Sequence, residues 1–391
     1  MVAVSLSPTV SDDARLARVA AASHDAIVAL QVALARIAAP TGHEAARAAH
    51  MAEQLRVSGA AHVRRDDVGN VVARVDGADA DAAPLSIVAH LDTVFAEITD
   101  PAITWQDGRW VGPGIGDNAR GLAVLCMLPA LLREAAERPS RPIELVATVG
   151  EEGHGDLRGI RHYLQWAAPW GVIALDSPGD DRIVTRGLGA RRYRVIATGP
   201  GGHSWSAYGS ASALDAAMEL ATVLRGFGEA PGRVRRGEGV AVTVARLAGG
   251  ESINSIPARA ELELDVRALD DARLDATEER IRATVSSARV GRGIDLSVIR
   301  SGHRSAGATA ETHPLVRAAF DATRAIGREP VLSTGSTDAN AAMALGIPAI
   351  AIGAGGTGGQ AHTVHEWFDP HDGARGVERL LHLLHLVDTS Q

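Results

Sequence analysis

Histidine and carboxylate side chains recur along the chain at points where buried strands are expected to end. Five short segments carry them: 89–92 (Ala-His-Leu-Asp), 116–118 (Gly-Asp-Asn), 150–153 (Gly-Glu-Glu-Gly), 175–177 (Leu-Asp-Ser) and 361–366 (Ala-His-Thr-Val-His-Glu). Each alone has an ordinary interpretation as a cap, a solvated turn or a surface pair. Together they form a mixed nitrogen and oxygen ligand set, which suits zinc and, less selectively, manganese or cobalt.

The pattern of apolar residues predicts the scaffold that would gather these segments. The predicted elements are helix 11–54, strand 68–75, strand 85–89, helix 119–136, strand 143–149 and strand 172–175. This alternation predicts an α/β domain with a mostly parallel sheet flanked by helices. Ligands bind beyond the carboxyl ends of the strands in such sheets, so the five segments are expected to meet at one edge.

The pattern changes between residues 188 and 302. Strands with alternating polarity are predicted at 191–197, 240–246, 260–267 and 295–299, with amphipathic helices at 211–224 and 271–287. Two helices and four such strands predict a small α+β domain. The α/β pattern then returns, with helix 314–326, strand 349–352 and helix 371–387. We therefore expect a discontinuous catalytic domain, 1–187 and 303–391, with the smaller domain 188–302 inserted.

Composition excludes several other classes. The chain has 391 residues, and all 39 of its basic residues are arginine. Without lysine, Schiff-base chemistry, pyridoxal phosphate enzymes and Walker-type phosphate loops are excluded. The net charge of -8 leaves no basic footprint for nucleic acid or for an anionic membrane. The single cysteine, Cys126, allows no internal disulfide and is interpreted as a small buried hydrophobe.

Neither targeting segments nor the motifs of two other protein classes are well matched by the sequence. No signal peptide is evident, and no uninterrupted apolar run approaches the roughly 18 residues of a membrane span. A cytoplasmic protein is therefore predicted. The glycines of 112–116 resemble a dinucleotide fingerprint, but its third glycine would fall at Asp117. No Gly-x-Ser-x-Gly elbow of a serine hydrolase is present in the sequence.

The five segments, in this order, resemble a family of dinuclear zinc metallopeptidases and amidohydrolases. The family includes aminoacylase, acetylornithine deacetylase, succinyl-diaminopimelate desuccinylase, glutamate carboxypeptidase and tripeptide aminopeptidase. The resemblance covers about residues 37–384. It implies a catalytic domain with a zinc-exopeptidase-like fold and, at 188–302, an inserted ferredoxin-like lid and dimerisation domain. It also implies two divalent metal ions in each chain, expected to be zinc, with manganese or cobalt as alternatives.

The resemblance assigns a role to each candidate ligand. His90 and Asp176 would bind one metal, Glu152 and His362 the other, and Asp117 would bridge the two. Spacing alone leaves His362 and His365 open for the last ligand. The family pattern favours His362, the first histidine after the glycine-rich loop.

Two further carboxylates receive supporting roles from the same resemblance. Asp92 would hydrogen-bond the second ring nitrogen of His90 and fix its tautomer. Glu151 would be the general base that activates a water between the metals. The peptide bond between Asp117 and Asn118 is expected to be cis, as it often is in the family.

The inserted domain would complete the site. His203, in a Gly-Pro-Gly-Gly-His-Ser segment, would stabilise the oxyanion in the other subunit of a homodimer formed through this domain. Asn254 and Arg267 would hold the substrate. For His203 the alternative is an ordinary loop histidine, and for Arg267 it is a structural salt bridge with Asp265 or a neighbour.

The predicted function is hydrolysis of an amide bond in a small substrate. Asp176, the segment 199–208 and the His-Glu pair at 365–366 favour a di- or tripeptide as the substrate. The alternative is an N-acyl amino acid deacylase of the same family. A remote alternative is a catalytically inactive binding protein on this fold. No nucleic-acid or membrane partner is expected.

Overall fold

The computed structural model describes residues 12–288 and 291–389. Ser11, at which the first predicted helix would begin, lies outside the described residues. The chain divides into two compact units. The first unit contains the described residues up to Thr185 and from Ala308 onward, and the second unit is Arg186–Gly307.

The strands and helices have the following bounds. In chain order the strands are β1 (Ala61–Arg65), β2 (Val71–Val75), β3 (Leu85–His90), β4 (Thr104–Gln106), β5 (Arg109–Val111), β6 (Ile143–Thr148), β7 (Gly171–Leu175), β8 (Arg182–Gly187), β9 (Gly189–Thr198), β10 (Gly202–His203), β11 (Ala241–Gly249), β12 (Ser255–Ile256), β13 (Arg259–Ala268), β14 (Asp295–Arg304), β15 (Gly307–Ala308), β16 (Val331–Gly335), β17 (Ala349–Ile352), β18 (Thr357–Gly359) and β19 (Trp367–Asp369). The α-helices are α1 (Asp12–Ala35), α2 (Ala45–Val57), α3 (Ala119–Glu134), α4 (Arg158–Tyr163), α5 (Ala213–Arg225), α6 (Pro231–Arg235), α7 (Asp271–Ser287), α8 (Pro314–Ala325), α9 (Ala339–Ala344) and α10 (Gly373–Thr389).

A nine-stranded mixed sheet organises the first unit, in the order β1-β2-β6-β3-β7-β17-β8-β15, with β16 also paired to β8. The four central strands β6, β3, β7 and β17 are parallel. Antiparallel strands flank them, since β2 pairs with β6 and β8 pairs with β17. The α/β prediction is confirmed, and the parallel pairing that it emphasised is confined to the centre of the sheet.

Helices cover both faces of this sheet because its central strands are apolar on both sides. In β3, Ile87 and Ala89 point into a core shared with α1, α2, α3, α8 and α10. Val88, one residue along, points into the opposite core, which α4 and α9 close. Side chains that alternate between two buried faces explain why β3 is a continuous buried run. The sheet therefore lies in the middle of three layers.

The predicted helix over 11–54 is wrong as a single element. Helix α1 ends at Ala35 and α2 begins at Ala45. Between them, Pro40 forms an isolated parallel bridge with Thr93, and Gly42 has a φ of +90°. Proline cannot continue a helix interior, and a positive φ favours glycine. The break matters for the site, because it places Thr41 beside the end of β3.

Helix α1 is long and apolar enough to cross a membrane by length and composition alone. In the structure it packs against α3 and α10. Leu16, Ile27 and Leu34 on its inner side are fully buried in the core. A core helix of a globular unit meets the same criteria, and the packing is that of a core helix.

In both units, fully buried arginines donate hydrogen bonds to backbone carbonyl oxygens. Arg47 donates to the carbonyl oxygens of Ile37 and Leu91, and Arg120 donates to those of Ala354 and Gly373. Burial lowers the pKa of Arg47 to about 10 and that of Arg120 to about 9. Two further arginines, Arg191 and Arg379, are also fully buried. Arg191 donates to the carbonyl oxygen of Arg304, and Arg379 donates to that of Arg182.

An antiparallel four-stranded sheet forms the second unit, in the order β11-β13-β9-β14. In β13, Leu262, Leu264 and Val266 point into a core with α5 and α7, which is why alternate residues of the strand are buried. The residues between them, Glu263 and Asp265, are charged and pair with Arg246 and Arg192. One apolar and one charged face are typical of an antiparallel sheet with one solvated side.

Candidate active site

Three neighbouring parallel strands bring their carboxyl ends to one edge of the sheet in the first unit. His90 is the last residue of β3, Glu151 and Glu152 follow β6, and Asp176 follows β7. Because β3 lies between β6 and β7 and runs parallel to both, these residues meet at the same edge. Asp117 arrives from the loop before α3.

Asp117 lies between two histidines. Its Oδ1 is 3.0 Å from His90 Nε2, and its Oδ2 is 3.3 Å from His362 Nε2. His362 Nε2 is also 3.0 Å from Glu152 Oε1. Ligand atoms of His90, Asp117 and Glu152 all lie within 4.8 Å of one another. An aspartate that offers one oxygen to each side has the geometry required of a ligand shared by two metal ions.

The charges of the cluster show why a cation fits it. Burial alone would raise the pKa of Asp117, but hydrogen bonds from His362 and His90 lower it below its ordinary value. Hydrogen bonds with Asp117 and Glu152 raise the pKa of His362 to about 10. Burial, followed by the charge of Asp117, raises the pKa of Asp176 to about 7. Carboxylates that repel one another in a buried site are stabilised by a cation, so the donor set suits a divalent metal.

Asp92 is fully buried next to the cluster. Its carboxylate does not make the predicted hydrogen bond with the ring of His90. The Nδ1 atom of His90 lies 3.0 Å from the backbone carbonyl oxygen of Asp92, while the Asp92 carboxylate is 3.6 Å away. The carboxylate instead accepts the backbone N–H groups of Glu151 and Glu152, each at 2.9 Å, and the hydroxyl of Thr41 at 2.8 Å. Asp92 therefore fixes the backbone that carries the candidate base and its neighbouring ligand.

Glu151 is almost completely buried and lies next to the candidate ligand Glu152. Its side chain is only 4% exposed, and the following residue, Glu152, is 9% exposed. A single 3₁₀ turn at Gly153–Gly155 follows, and the N–H of Gly155 donates to the carbonyl oxygen of Glu152 at 2.8 Å. The two glutamates thus leave strand β6 in a fixed backbone conformation.

The bond between Asp117 and Asn118 is cis. The side chain of Asn118 donates to the carbonyl oxygen of Leu175 at 2.8 Å and accepts the N–H of Gly121 at 3.2 Å. It therefore caps α3 and ties the start of that helix to the end of β7.

Sequence reasoning gave no role to Thr41, Asn118 or Glu366. Glu366 is 2% exposed, and its carboxylate accepts backbone N–H groups from the loop that carries Asp117. Its place in the His-Glu pair after the glycine-rich loop was the one available signal. His365, the alternative ligand, has an exposed side chain, and its N–H donates to the hydroxyl of Thr363.

The remaining candidates lie in the second unit. His203 and Asn254 belong to the segments joined by the β10–β12 pair, in which His203 is opposite Ser255. His203 is exposed, and its Nδ1 accepts the N–H groups of Trp205 and Ser206 at 3.2 and 3.4 Å. Arg267 pairs through Nε with Asp265 Oδ2 at 2.6 Å. The salt-bridge alternative for Arg267 is therefore present in the structure.

The fold and the ligand cluster together suit a metal-dependent enzyme. The sequence profile of Peptidase family M20/M25/M40 matches residues 87–386, and the chain belongs to this family. The membership confirms the resemblance found in the sequence and makes the chain a hydrolase of peptide or amide bonds. The metal-dependence of the family agrees with the His90, Asp117 and Glu152 cluster.

Individual relatives are more distant. A probable carboxypeptidase of Aspergillus terreus is 27% identical over 321 residues, which cover 73% of this chain and 72% of the relative. A tripeptidase structure from Staphylococcus aureus superposes with a TM-score of 0.76 at 19% identity, covering 94% of this chain and 99% of that one. An amidase of the hydantoinase/carbamoylase family from Burkholderia vietnamiensis gives 0.71 at 18% identity, with 95% and 97% covered. At such identities the two structures show a shared fold.

Proposed function

We propose that this chain is a two-metal hydrolase of small peptides, with Glu151 as the general base. The observation that carries the proposal is the position of Asp117, whose two oxygens face His90 on one side and His362 on the other. His90 and Asp176 form one ligand group, and Glu152 and His362 form the other. When bound there, divalent cations, expected to be zinc, supply polarisation of the substrate carbonyl and acidification of water.

Glu151 would carry the proton. It takes a proton from the attacking water, whose oxygen adds to the carbonyl carbon, and passes it to the nitrogen as the carbon–nitrogen bond breaks. Transfer of this kind contributes about 100- to 10,000-fold in rate. The Asp92 carboxylate supports it by holding the Glu151 N–H, so the base is oriented before substrate arrives.

His203 is suited to donate a hydrogen bond to the oxyanion. Because its Nδ1 accepts two backbone N–H groups, the neutral ring carries its proton on Nε2. Trp205, Tyr208 and Ile253, in the same loops, are at least 85% exposed. Exposed aromatic and apolar side chains around a donor are typical of a surface that meets another molecule. This supports a homodimer in which His203 serves the site of the second copy.

Asn254 and Arg267 would hold the substrate. The Asn254 Oδ1 accepts the hydroxyl of Ser252 at 2.7 Å, which leaves the amide NH2 as the donating end. Arg267 uses Nε for its pair with Asp265, and a guanidinium has four further N–H donors. A carboxylate of the substrate is the group that such a fork binds best.

The tripeptidase likeness favours a di- or tripeptide as substrate. The relative named a probable carboxypeptidase favours a substrate with a free carboxylate beside the scissile amide, which N-acyl amino acids also carry. N-acyl amino acid deacylation is therefore the second candidate. A cytoplasmic location remains a prediction from the sequence.

Glu151→Gln tests the proposal, with Glu134→Gln on the exposed end of α3 as its matched control. Purified proteins are loaded with zinc, their metal content is measured, and turnover is followed on di- and tripeptides and on N-acyl amino acids. We expect Glu151→Gln to keep its metal and lose about 100- to 10,000-fold in kcat, while the control keeps both. Substantial turnover by Glu151→Gln would refute the assignment of the base, and the preferred substrate decides between the two candidates.

A further inference from the structure

Most backbone N–H groups of the loop that carries Asp117 donate to one residue far along the chain. The backbone N–H of Gly112 donates to the carbonyl oxygen of Glu366 at 2.8 Å. The carboxylate of Glu366 accepts the N–H groups of Gly114 at 3.0 Å, Gly116 at 2.8 Å and Asp117 at 2.7 Å. Four of the five backbone N–H donors in residues 112–117 thus end on a single residue, and the last of them belongs to the candidate bridging ligand.

The loop requires such an anchor because its glycines allow many backbone conformations. Residues 112–117 read Gly-Pro-Gly-Ile-Gly-Asp, and the first two glycines have positive φ values of +154° and +74°. Glycine loses more conformational freedom on ordering than any other residue. Glycine at position 116 favours this close approach, since a Cβ there would lie 3.1 Å from Glu366 Oε1 and 3.1 Å from Pro178 Cγ, and these neighbours would have to move slightly.

The anchor connects the loop to a second candidate ligand. Glu366 follows His362 by four residues, and its N–H donates to the carbonyl oxygen of Thr363 at 3.1 Å, within the same turn. His362 Nε2 in turn lies 3.3 Å from Asp117 Oδ2. The segment that carries one ligand therefore holds the loop that carries the other, although the two are 245 positions apart in the sequence.

We propose that Glu366 is a positioning residue that sets the Asp117 carboxylate between the two metal positions. This inference rests on the proposed two-metal function and adds to it a residue that contacts neither substrate nor metal. Without the Glu366 carboxyl group, the loop would lose three hydrogen bonds to a buried acceptor, and Asp117 would sample positions that serve one metal or neither. The affinity for metal would then fall even though every ligand is still present.

Three substitutions at Glu366 grade the effect. Glu366→Gln keeps one oxygen, which can still accept from Gly116 and Asp117, but its NH2 group then faces the N–H of Gly114. Glu366→Asp keeps the charge and withdraws it by one methylene. Glu366→Ala removes the acceptor. Asp66→Asn is the matched control, because Asp66 Oδ1 accepts the N–H groups of Val68, Gly69 and Asn70 in the turn between β1 and β2.

Zinc affinity is measured for each full-length protein by competition with a chelator, and the cobalt-loaded forms are compared by visible absorption. We expect Glu366→Ala to lose on the order of 10- to 100-fold in zinc affinity and to change the cobalt spectrum. Glu366→Gln should fall between Ala and wild type, and Asp66→Asn should match wild type in both. A purely structural role would lower resistance to urea in both Glu366→Gln and Asp66→Asn without a selective loss of metal.

Two results would overturn the proposal. One is a folded Glu366→Ala protein with the zinc affinity and cobalt spectrum of the wild type. The other, if Glu366→Ala does not fold, is a folded Glu366→Gln protein with wild-type values in both measurements. Failure of the wild-type protein itself to bind zinc would refute the proposed function, and this inference with it. Wild-type zinc binding without turnover on any substrate would refute only the proposed reaction, since metal affinity still decides the role of Glu366.

Discussion

Replacing Asp92 by asparagine exchanges one carboxylate oxygen for an NH2 group and leaves the shape of the side chain unchanged. Both oxygens are in use, since Oδ1 accepts the N–H of Glu151, and Oδ2 accepts the N–H of Glu152 and the hydroxyl of Thr41. In either orientation the new NH2 group faces a backbone N–H. One buried donor then has no acceptor, and the negative charge is gone.

The size of the effect follows from these contacts. A hydrogen bond to a charged group contributes about 1.5–3 kcal/mol, and a buried donor left unsatisfied costs about 1–3 kcal/mol. We therefore expect Asp92→Asn to lower the free energy of unfolding by about 2–4 kcal/mol. Because the displaced N–H belongs to Glu151 or Glu152, kcat should also fall, by on the order of 100-fold for a shift of about 1 Å.

The pH dependence of this loss has a definite sign. Burial alone would raise the pKa of Asp92, but the nearby His90 ring and hydrogen bonds from the Glu152 N–H and the Thr41 hydroxyl lower it below its ordinary value. A carboxyl group with a lower pKa in the folded chain stabilises it above the unfolded pKa of about 3.9, and this stability disappears as pH falls through the folded value. The difference between wild type and Asp92→Asn should therefore shrink below about pH 4.

Urea unfolding in the presence of chelator measures the stability without a contribution from bound metal, and kcat is measured separately on zinc-loaded protein. Asp321→Asn, an exposed position on α8, controls for the chemical change. The reasoning is refuted if Asp92→Asn unfolds within about 0.5 kcal/mol of wild type and turns over at the wild-type rate, because such values are those of an ordinary surface substitution.

Two further predictions concern the metal and the second unit. With the pKa of His362 raised to about 10, a metal ion has to displace its proton, so zinc affinity should fall about tenfold per pH unit for each proton released as pH is lowered. Chelator competition at several pH values measures this, and an affinity independent of pH would contradict it. His203→Ala should lower kcat by about 100- to 1,000-fold with little change in KM, the usual effect of removing an oxyanion donor. If His203 serves a second copy, mixing His203→Ala with Glu151→Gln subunits should restore part of the activity. If the mixture stays inactive after the subunits have exchanged, His203 does not act in the site of a second copy.

The features that the sequence predicts depend on residues that are close together in the chain. Short apolar runs predict the strands β3, β6 and β7, and the histidine and carboxylates that follow these strands predict a metal site. The assignment of individual ligands drew on the family resemblance. The prediction of an α/β unit needed only the alternation of these runs with helical patterns.

What the sequence could not predict depends on contacts between distant segments. Glu366 is 249 positions from Asp117, and its role follows from backbone N–H groups, which every residue carries. Thr41 became relevant only through the break between α1 and α2, where the alanine-rich pattern suggested an uninterrupted helix. The sheet β18-β19-β5-β4 was not predicted either, because each of its strands has three residues and no measurable periodicity.

Chemical modification of the buried arginines can measure how readily each unit opens. A chain without lysine offers no ε-amino group to amine-directed reagents, whereas dicarbonyl reagents specific for guanidinium groups address its 39 arginines. Arginines on the surface would react at once. Arg47, Arg120 and Arg379 in the first unit, and Arg191 in the second, would react only when the surrounding structure opens. Their modification rates, read by mass spectrometry after peptide mapping, would report the local opening free energy of each unit separately.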